Sequence, residues 1–140
     1  MPSFSKNSKI KLDTCDVLIM HLFYKIVENY DCTIISGHRT PEEQFELFKN
    51  GREEINGIWV VKNRFEIVTK CDGFIKSSDH NCYPSKAVDV MPYPIDWDDI
   101  PRIKEFAAYV KGFAANLGIP ILWGGDWKGK FVDRPHWYLK

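Results

Sequence analysis

The chain has 140 residues, enough for one domain that buries roughly two thirds of its unfolded surface without needing a disulfide or a metal to fold. Nineteen basic side chains balance nineteen acidic ones and hydrophobic residues make up 44%. That balance excludes nucleic acid or an anionic membrane as a partner held by bulk charge, and it is the composition of an ordinary soluble protein.

The opening stretch, Met1 to Asp13, has no apolar core and no small-residue cleavage site, and the longest apolar runs fall far short of a membrane span. The expectation is a protein made in the cytoplasm without a signal peptide and without an integral membrane segment. Cys15, Cys32, Cys71 and Cys82 form no C-x-x-C pair, so no zinc ribbon or redox motif is visible, and four reduced thiols are expected.

From Leu12 to Tyr30 the residues Leu12, Cys15, Leu18, Ile19, Leu22, Phe23, Ile26, Val27 and Tyr30 fall at helical spacing, which predicts one amphipathic helix. His21 lies between stripe positions and reads as a packing or surface residue. Cys32 to Ile35 is short and β-prone and is broken by Ser36-Gly37, a strand ending in a tight turn. Thr40 then caps a helix with Pro41 at its first position and Glu43 closing a capping box; it runs to about Asn50 and stops at Gly51. In residues 52–79, Ile58 to Val61 and Phe65 to Thr69 have strand character around Lys62-Asn63-Arg64, the pattern of a hairpin or of a mobile flap beside a site.

Lys86 to Val90 reads as a strand with Ala87 and Asp89 on one face and Val88 and Val90 on the other. Asp98 or Asp99 caps a second strong helix, whose stripe is Ile103, Phe106, Ala107, Val110, Phe113, Ala114 and Leu117 and whose end is Gly118. Ile119 to Trp123 is a strand, Gly124-Gly125 a turn, and His136 to Leu139 a last strand. Together these predict a single α+β domain over residues 1–140, two to three helices packed on a small, mostly antiparallel sheet.

Of the four histidines, His80 and His136 have the richest surroundings: Ser77-Ser78-Asp79-His80 precedes the strand carrying Asp89, and Asp133-Arg134-Pro135-His136 opens the last strand. A catalytic zinc takes three protein ligands of the histidine or carboxylate kind and keeps one position open for water. Two histidines and an aspartate would supply those, and a further carboxylate close by would serve as general base. The same residues also suit turns and surface, and spacing alone does not choose. Cys82, two residues after His80, is a candidate metal neighbour, although a His-x-Cys pair rarely closes on one zinc. His38 reads as packing.

Ser78-Asp79-His80 through Ala87-Val88-Asp89, with the later Asp133-Arg134-Pro135-His136-Trp137, resembles the signature of the LAS zinc peptidases. This group comprises D-Ala-D-Ala carboxypeptidases and dipeptidases and the L-alanyl-D-glutamate endopeptidases of phage endolysins. Ser36-Gly37-His38-Arg39-Thr40-Pro41-Glu42-Glu43-Gln44 resembles the group's G-x-R-[ST]-x-x-x-Q segment. Tyr93-Pro94-Ile95-Asp96-Trp97 and Trp123-Gly124-Gly125-Asp126-Trp127 are similar to its phage-type branch. One departure is the stretch from Asn81 to Val88, two residues longer than the usual pattern and without its glycine; Asn, Pro and Ser there suit a wider turn.

The resemblance implies the LAS metallopeptidase fold, shared with hedgehog and D-Ala-D-Ala peptidases, and one zinc ion per chain held by His80, Asp89 and His136. It implies Asp133 as the base that takes a proton from the attacking water and passes it to the leaving amine. It gives Arg39 a substrate carboxylate or the scissile carbonyl to hold, and places Ser78 and Gln44 along the substrate cleft. The five tryptophans read as core by default; the alternative for Trp127 and for Trp137, which directly follows a ligand, is an apolar wall against substrate beside the zinc. Asp126 is either a turn residue or a partner for a zinc histidine. The expected activity is hydrolysis of a peptidoglycan stem peptide by a monomer, an L-alanyl-D-glutamate endopeptidase acting as a phage or prophage endolysin. It would reach the wall after holin-type release or be carried in a virion. The alternatives are a D-Ala-D-Ala carboxypeptidase or dipeptidase on the same scaffold and a non-catalytic wall-binding virion protein.

Overall fold

A computed structural model describes residues 1–129 and 131–140. The elements in chain order are α1 (Lys6–Leu12), α2 (Val17–Val27), β1 (Cys32–Ser36), α3 (Pro41–Phe48), β2 (Arg52–Ile55), β3 (Ile58–Val61), β4 (Ala87–Pro92), α4 (Ile100–Leu117), β5 (Ile121–Trp123) and β6 (His136–Leu139). Three single 3-10 turns lie at Arg64–Glu66, Asp79–Asn81 and Gly124–Asp126. The architecture is α+β.

The apolar stripe from Leu12 to Tyr30 is not one helix. It breaks after Leu12 and restarts at Val17, because the Asp16 carboxylate accepts the Leu18 N–H as an N-cap, and caps compete with helix interior. The break is used: Cys15 bridges in parallel to Ser85, the Asp16 N–H donates to the Ser85 carbonyl and the Ser85 N–H to the Thr14 carbonyl. With 7 residues, α1 is too short to persist alone and is held by packing, Leu12 in the core and the Ser8 hydroxyl accepting the Ile34 N–H of β1.

Thr40 and Glu43 form the expected reciprocal capping box on α3, and Asp99 rather than Asp98 caps α4 by accepting the Arg102 N–H. Gly118, with φ of 70°, takes the left-handed conformation that ends α4.

β1, β4, β6 and β5 form a four-stranded sheet in that order, every pair antiparallel. All of β4 is buried. One face of the sheet, through Val88, Val90, Trp123 and Trp137, meets Phe23, Ile26, Phe106 and Val110 of α2 and α4 in the main core. Burying each such side chain contributes about 1.5–3 kcal/mol. The alternation of the strands turns Asp89 and His136, cross-strand partners in the β4–β6 ladder, to the other face.

The second sheet is the hairpin of β2 and β3, not a pairing of Ile58–Val61 with Phe65–Thr69. Its turn is Asn56-Gly57, both with positive φ (52° and 80°), the two-residue turn whose twist matches the strands. Arg64–Glu66 forms a 3-10 turn instead of continuing as strand. The last strand before the 3-10 turn at Gly124 begins at Ile121, not Ile119, whose N–H still bonds back to Ala114 of α4.

Candidate metal centre

His80 sits in the 3-10 turn Asp79–Asn81, where the Ser78 hydroxyl accepts the His80 N–H and the Asn81 side chain returns to the Ser78 N–H. The longer connection from Asn81 to Val88 is thus pinned at one end by this box and in the middle by the Ser85 bonds to the α1–α2 junction. His80 and Asp89 approach each other, with Nε2 to Oδ1 at 3.2 Å. His136 Nδ1 lies 3.2 Å from His80 Nε2 and 3.3 Å from Asp89 Oδ1. All three residues are buried, and their donor atoms lie within 4.8 Å of one another.

The chemistry of this donor set fits a cation. His80 Nδ1 is 2.7 Å from the Gly37 carbonyl, an acceptor only, so Nδ1 carries the proton and a neutral His80 turns the Nε2 lone pair inward. That lone pair meets a carboxylate oxygen, another acceptor. Lone pairs aimed at a common point are held apart unless a positive charge stands between them, and two nitrogens with one oxygen is a set that zinc accepts. The carbonyl behind His80 is the partner that fixes a ligating imidazole. Gly37 itself has no room for a side chain, since a Cβ would lie within 2.5 Å of the Thr14 hydroxyl.

Asp89 turns its second oxygen, Oδ2, to Arg39 Nη2 at 2.8 Å. Burial alone would raise its carboxyl, but the two histidine rings at its Oδ1 and the Arg39 guanidinium at its Oδ2 outweigh that and hold it well below the usual carboxylate range. Asp133 behaves oppositely. Burial first, and then the negative charge of Asp89, push it up to about 6 against the pull of His136, His80 and Arg39. One carboxylate is held toward its ionised form and its neighbour is pushed up to about 6, the separation that acid–base chemistry uses.

These groups form part of the lining of a cleft of about 1700 Å³, with Arg39, Ser78, Trp127 and Asp133 around His80, Asp89 and His136. Asp133 is carried to His136 by a close approach. Its N–H donates to the Gly124 carbonyl and its own carbonyl accepts the His136 N–H. A Cβ on Gly124 would collide with the Asp133 carbonyl and come to 3.0 Å from His136 Cβ, so this glycine is a requirement of the site as well as a turn.

Several expected roles change. Gln44 is fully buried and does not line the cleft; its amide is enclosed by Arg39, Thr69 and Cys71. Trp137 is 1% exposed and faces the core, stacked on Trp123, because the residue after a ligand on a strand points to the opposite face. It does not touch the cleft, whereas Trp127 does, its ring 5.3 Å from that of His136 and its N–H donated to the Tyr138 hydroxyl. Cys82 is exposed and outside the donor cluster. Asp126 pairs with Lys111 rather than with a histidine. His38 turns Nδ1 to the Cys82 carbonyl and its ring edge to Tyr83. Arg39 reaches Asp89.

The sequence reading missed the Gly37 carbonyl, Ser36 (which accepts from Arg39 Nε) and the Thr69–Cys71 wall. Ser36 and Gly37 carry a visible signal as a strand end beside Arg39, but backbone acceptors and loop walls have no residue-type signature.

A protein-family profile described as phage L-alanyl-D-glutamate peptidase matches residues 2–135. Among solved structures, the crystal structure of Serratia marcescens L-Ala D-Glu endopeptidase ChiX is similar in fold, with a TM-score of 0.71 at 19% identity over 99% of this chain and 91% of that one.

Proposed function

The chain belongs to the family of phage L-alanyl-D-glutamate peptidases, and from that premise we propose that it hydrolyses the L-Ala–D-Glu bond of peptidoglycan stem peptides as a phage-type lysin, with one zinc ion held by His80, Asp89 and His136. The observation that supports this most is the convergence of three buried donors in the floor of a cleft that also carries a carboxylate raised to about 6. Zinc held there would supply Lewis acidity at the scissile carbonyl and bring the pKa of water toward ~7.

The chain's own residues account for the remaining steps. Asp133 accepts the proton of the attacking water and returns it to the departing amine, with no covalent enzyme intermediate. Asp89 stays ionised beneath it and Arg39 holds that charge in place. Arg39 uses three of its five N–H groups on Ser36, Gln44 and Asp89, leaving two for a substrate oxygen in the cleft. Ser78 lines the cleft beside His80, and Trp127 forms an apolar wall beside His136.

Among the described residues no helix is long and apolar enough to cross a membrane. The test is metal analysis of the purified protein together with mass spectrometry of digested muropeptides. The expected products carry a new N-terminal D-Glu, activity disappears with chelator and returns with zinc, and Asp133→Ala is inactive. Release of terminal D-Ala with the L-Ala–D-Glu bond intact would assign the scaffold to carboxypeptidase chemistry instead.

A further inference from the structure

The side chain of Gln44 is a fully buried amide with every polar atom engaged, and its partners belong to two different parts of the site. Its Oε1 accepts from Arg39 Nη1 at 3.0 Å. Its Nε2 donates to Thr69 Oγ1 and to the Cys71 carbonyl, each at 3.1 Å. Arg39 carries the chain onward to Asp89 Oδ2, and Asp89 presents its other oxygen to His80 and His136. Thr69 and Cys71, at the far end, line the cleft. The Thr69 hydroxyl also accepts the Cys71 N–H, so the wall is folded around the atom that Gln44 grips.

Packing confirms that this contact is close. Gly73 takes φ of 87°, and a Cβ there would stand 2.6 Å from the Pro41 carbonyl and 2.9 Å from Gln44 Cβ. The loop therefore lies directly on the first turns of α3.

We propose that Gln44 is a positioning residue that ties the Thr69–Cys71 wall of the cleft to the metal ligand Asp89 through Arg39. The position needs an acceptor for the guanidinium and donors for the wall on one planar group, which only a carboxamide provides. Arg39 in turn sets the rotation of the Asp89 carboxylate, and with it which oxygen faces the donor cluster. The wall that meets substrate and the ligand that meets metal are then held in one arrangement. This rests on the zinc peptidase reading given above, and it adds a coupling between substrate wall and metal that the reading does not contain.

The test uses the full chain, with zinc affinity measured by competition with a chromophoric chelator, and kcat and KM measured on a purified stem peptide. Gln44→Met fills the space and removes both arms; zinc affinity is expected to fall by ~10–100-fold, the usual effect of losing an outer partner of a ligand, and KM to rise. Gln44→Glu keeps an acceptor for Arg39 but loses both donors to the wall, so zinc affinity is expected to hold while KM rises. Thr69→Val cuts the wall end alone with little disturbance of the core, so it remains measurable if the Gln44 variants do not fold, and it too should raise KM with zinc affinity unchanged. Wild-type zinc affinity in Gln44→Met, or wild-type KM in both Gln44→Glu and Thr69→Val, overturns the proposal and leaves Gln44 as a filler of the loop. Zinc affinity is read without substrate, so a failure of the wild type to cut L-Ala–D-Glu would strike the functional reading and not this one.

Discussion

Asp133 and Asp89 show how position sets the behaviour of one residue type. Asp133, raised to about 6 by burial and by the charge of Asp89, works as a base only when ionised, so hydrolysis should fall as pH drops through this range. A bound cation favours the carboxylate, so NMR titration of the metal-free protein should give a midpoint near 6, and the acid limb of kcat should lie lower. Asp133→Asn should lose ~10²–10⁴ in kcat and flatten that limb; an unchanged limb would assign the proton step elsewhere. The stability sign is the reverse of the usual carboxylate case. The folded pKa lies above the unfolded value of about 3.9, so the contribution of Asp133 is full below that value and is lost as pH rises through about 6. The ionisation that the proposed base role requires of Asp133 therefore weakens the fold. The thiols divide in the same manner: burial pushes Cys15 and Cys32 up to about 12, whereas Cys82 is exposed and Cys71 half-buried. Brief alkylation of the native protein followed by mass mapping should modify Cys82 and Cys71 and spare Cys15 and Cys32 until the chain unfolds. Residue types and order single out His80, Asp89, His136 and Asp133, which the fold brings together in one cleft, but depth has no such mark. Gln44 and Trp137 therefore looked like cleft residues when both are interior.

At the scale of elements, capping chemistry was the most legible signal. The Thr40–Glu43 box, Pro41 and Gly118 set α3 and α4 almost to the residue. The misreadings share one cause, apolar periodicity followed across a local stop. Asp16 interrupts a stripe that continues in space but not in chain, and Asn56-Gly57 fixes a hairpin one strand earlier than the apolar runs suggest. Two glycines test how far the site depends on close approach. Gly124→Ala places a methyl group against Asp133 and His136 and should destabilise by about 1–3 kcal/mol, with weaker zinc binding. Gly112→Ala, on the exposed side of α4 with nothing within 4 Å of the new carbon, should stabilise by up to about 1 kcal/mol in denaturant melts without touching activity. Equal effects of the two would remove Gly124 from the site.

For the whole molecule, the proposed metal centre and the fold are linked through strands that the hydrophobic core already holds. The core supports β4 and β6 from one face while the donors leave from the other. The chain should therefore fold without zinc and gain stability with it. At free zinc 100-fold above its Kd the gain is about 2.7 kcal/mol, visible as a rise in Tm that chelator reverses and that His136→Ala abolishes. An unchanged Tm across that range would argue against a resident metal.

The facing of Asp89 and His136 on neighbouring strands also has a temporal side. His136 lies 47 positions from Asp89 and 56 from His80 along the chain, and it arrives on the strand that slots between β4 and β5. Contacts of such separation form slowly, after local helices and turns. Until β6 enters, His80 and Asp89 lack both a third donor and the ladder that aligns them, so capture of the proposed zinc would belong to the closing moments of folding. A partly assembled chain has nothing with which to cut a wall, and the capacity to hydrolyse appears together with the finished sheet.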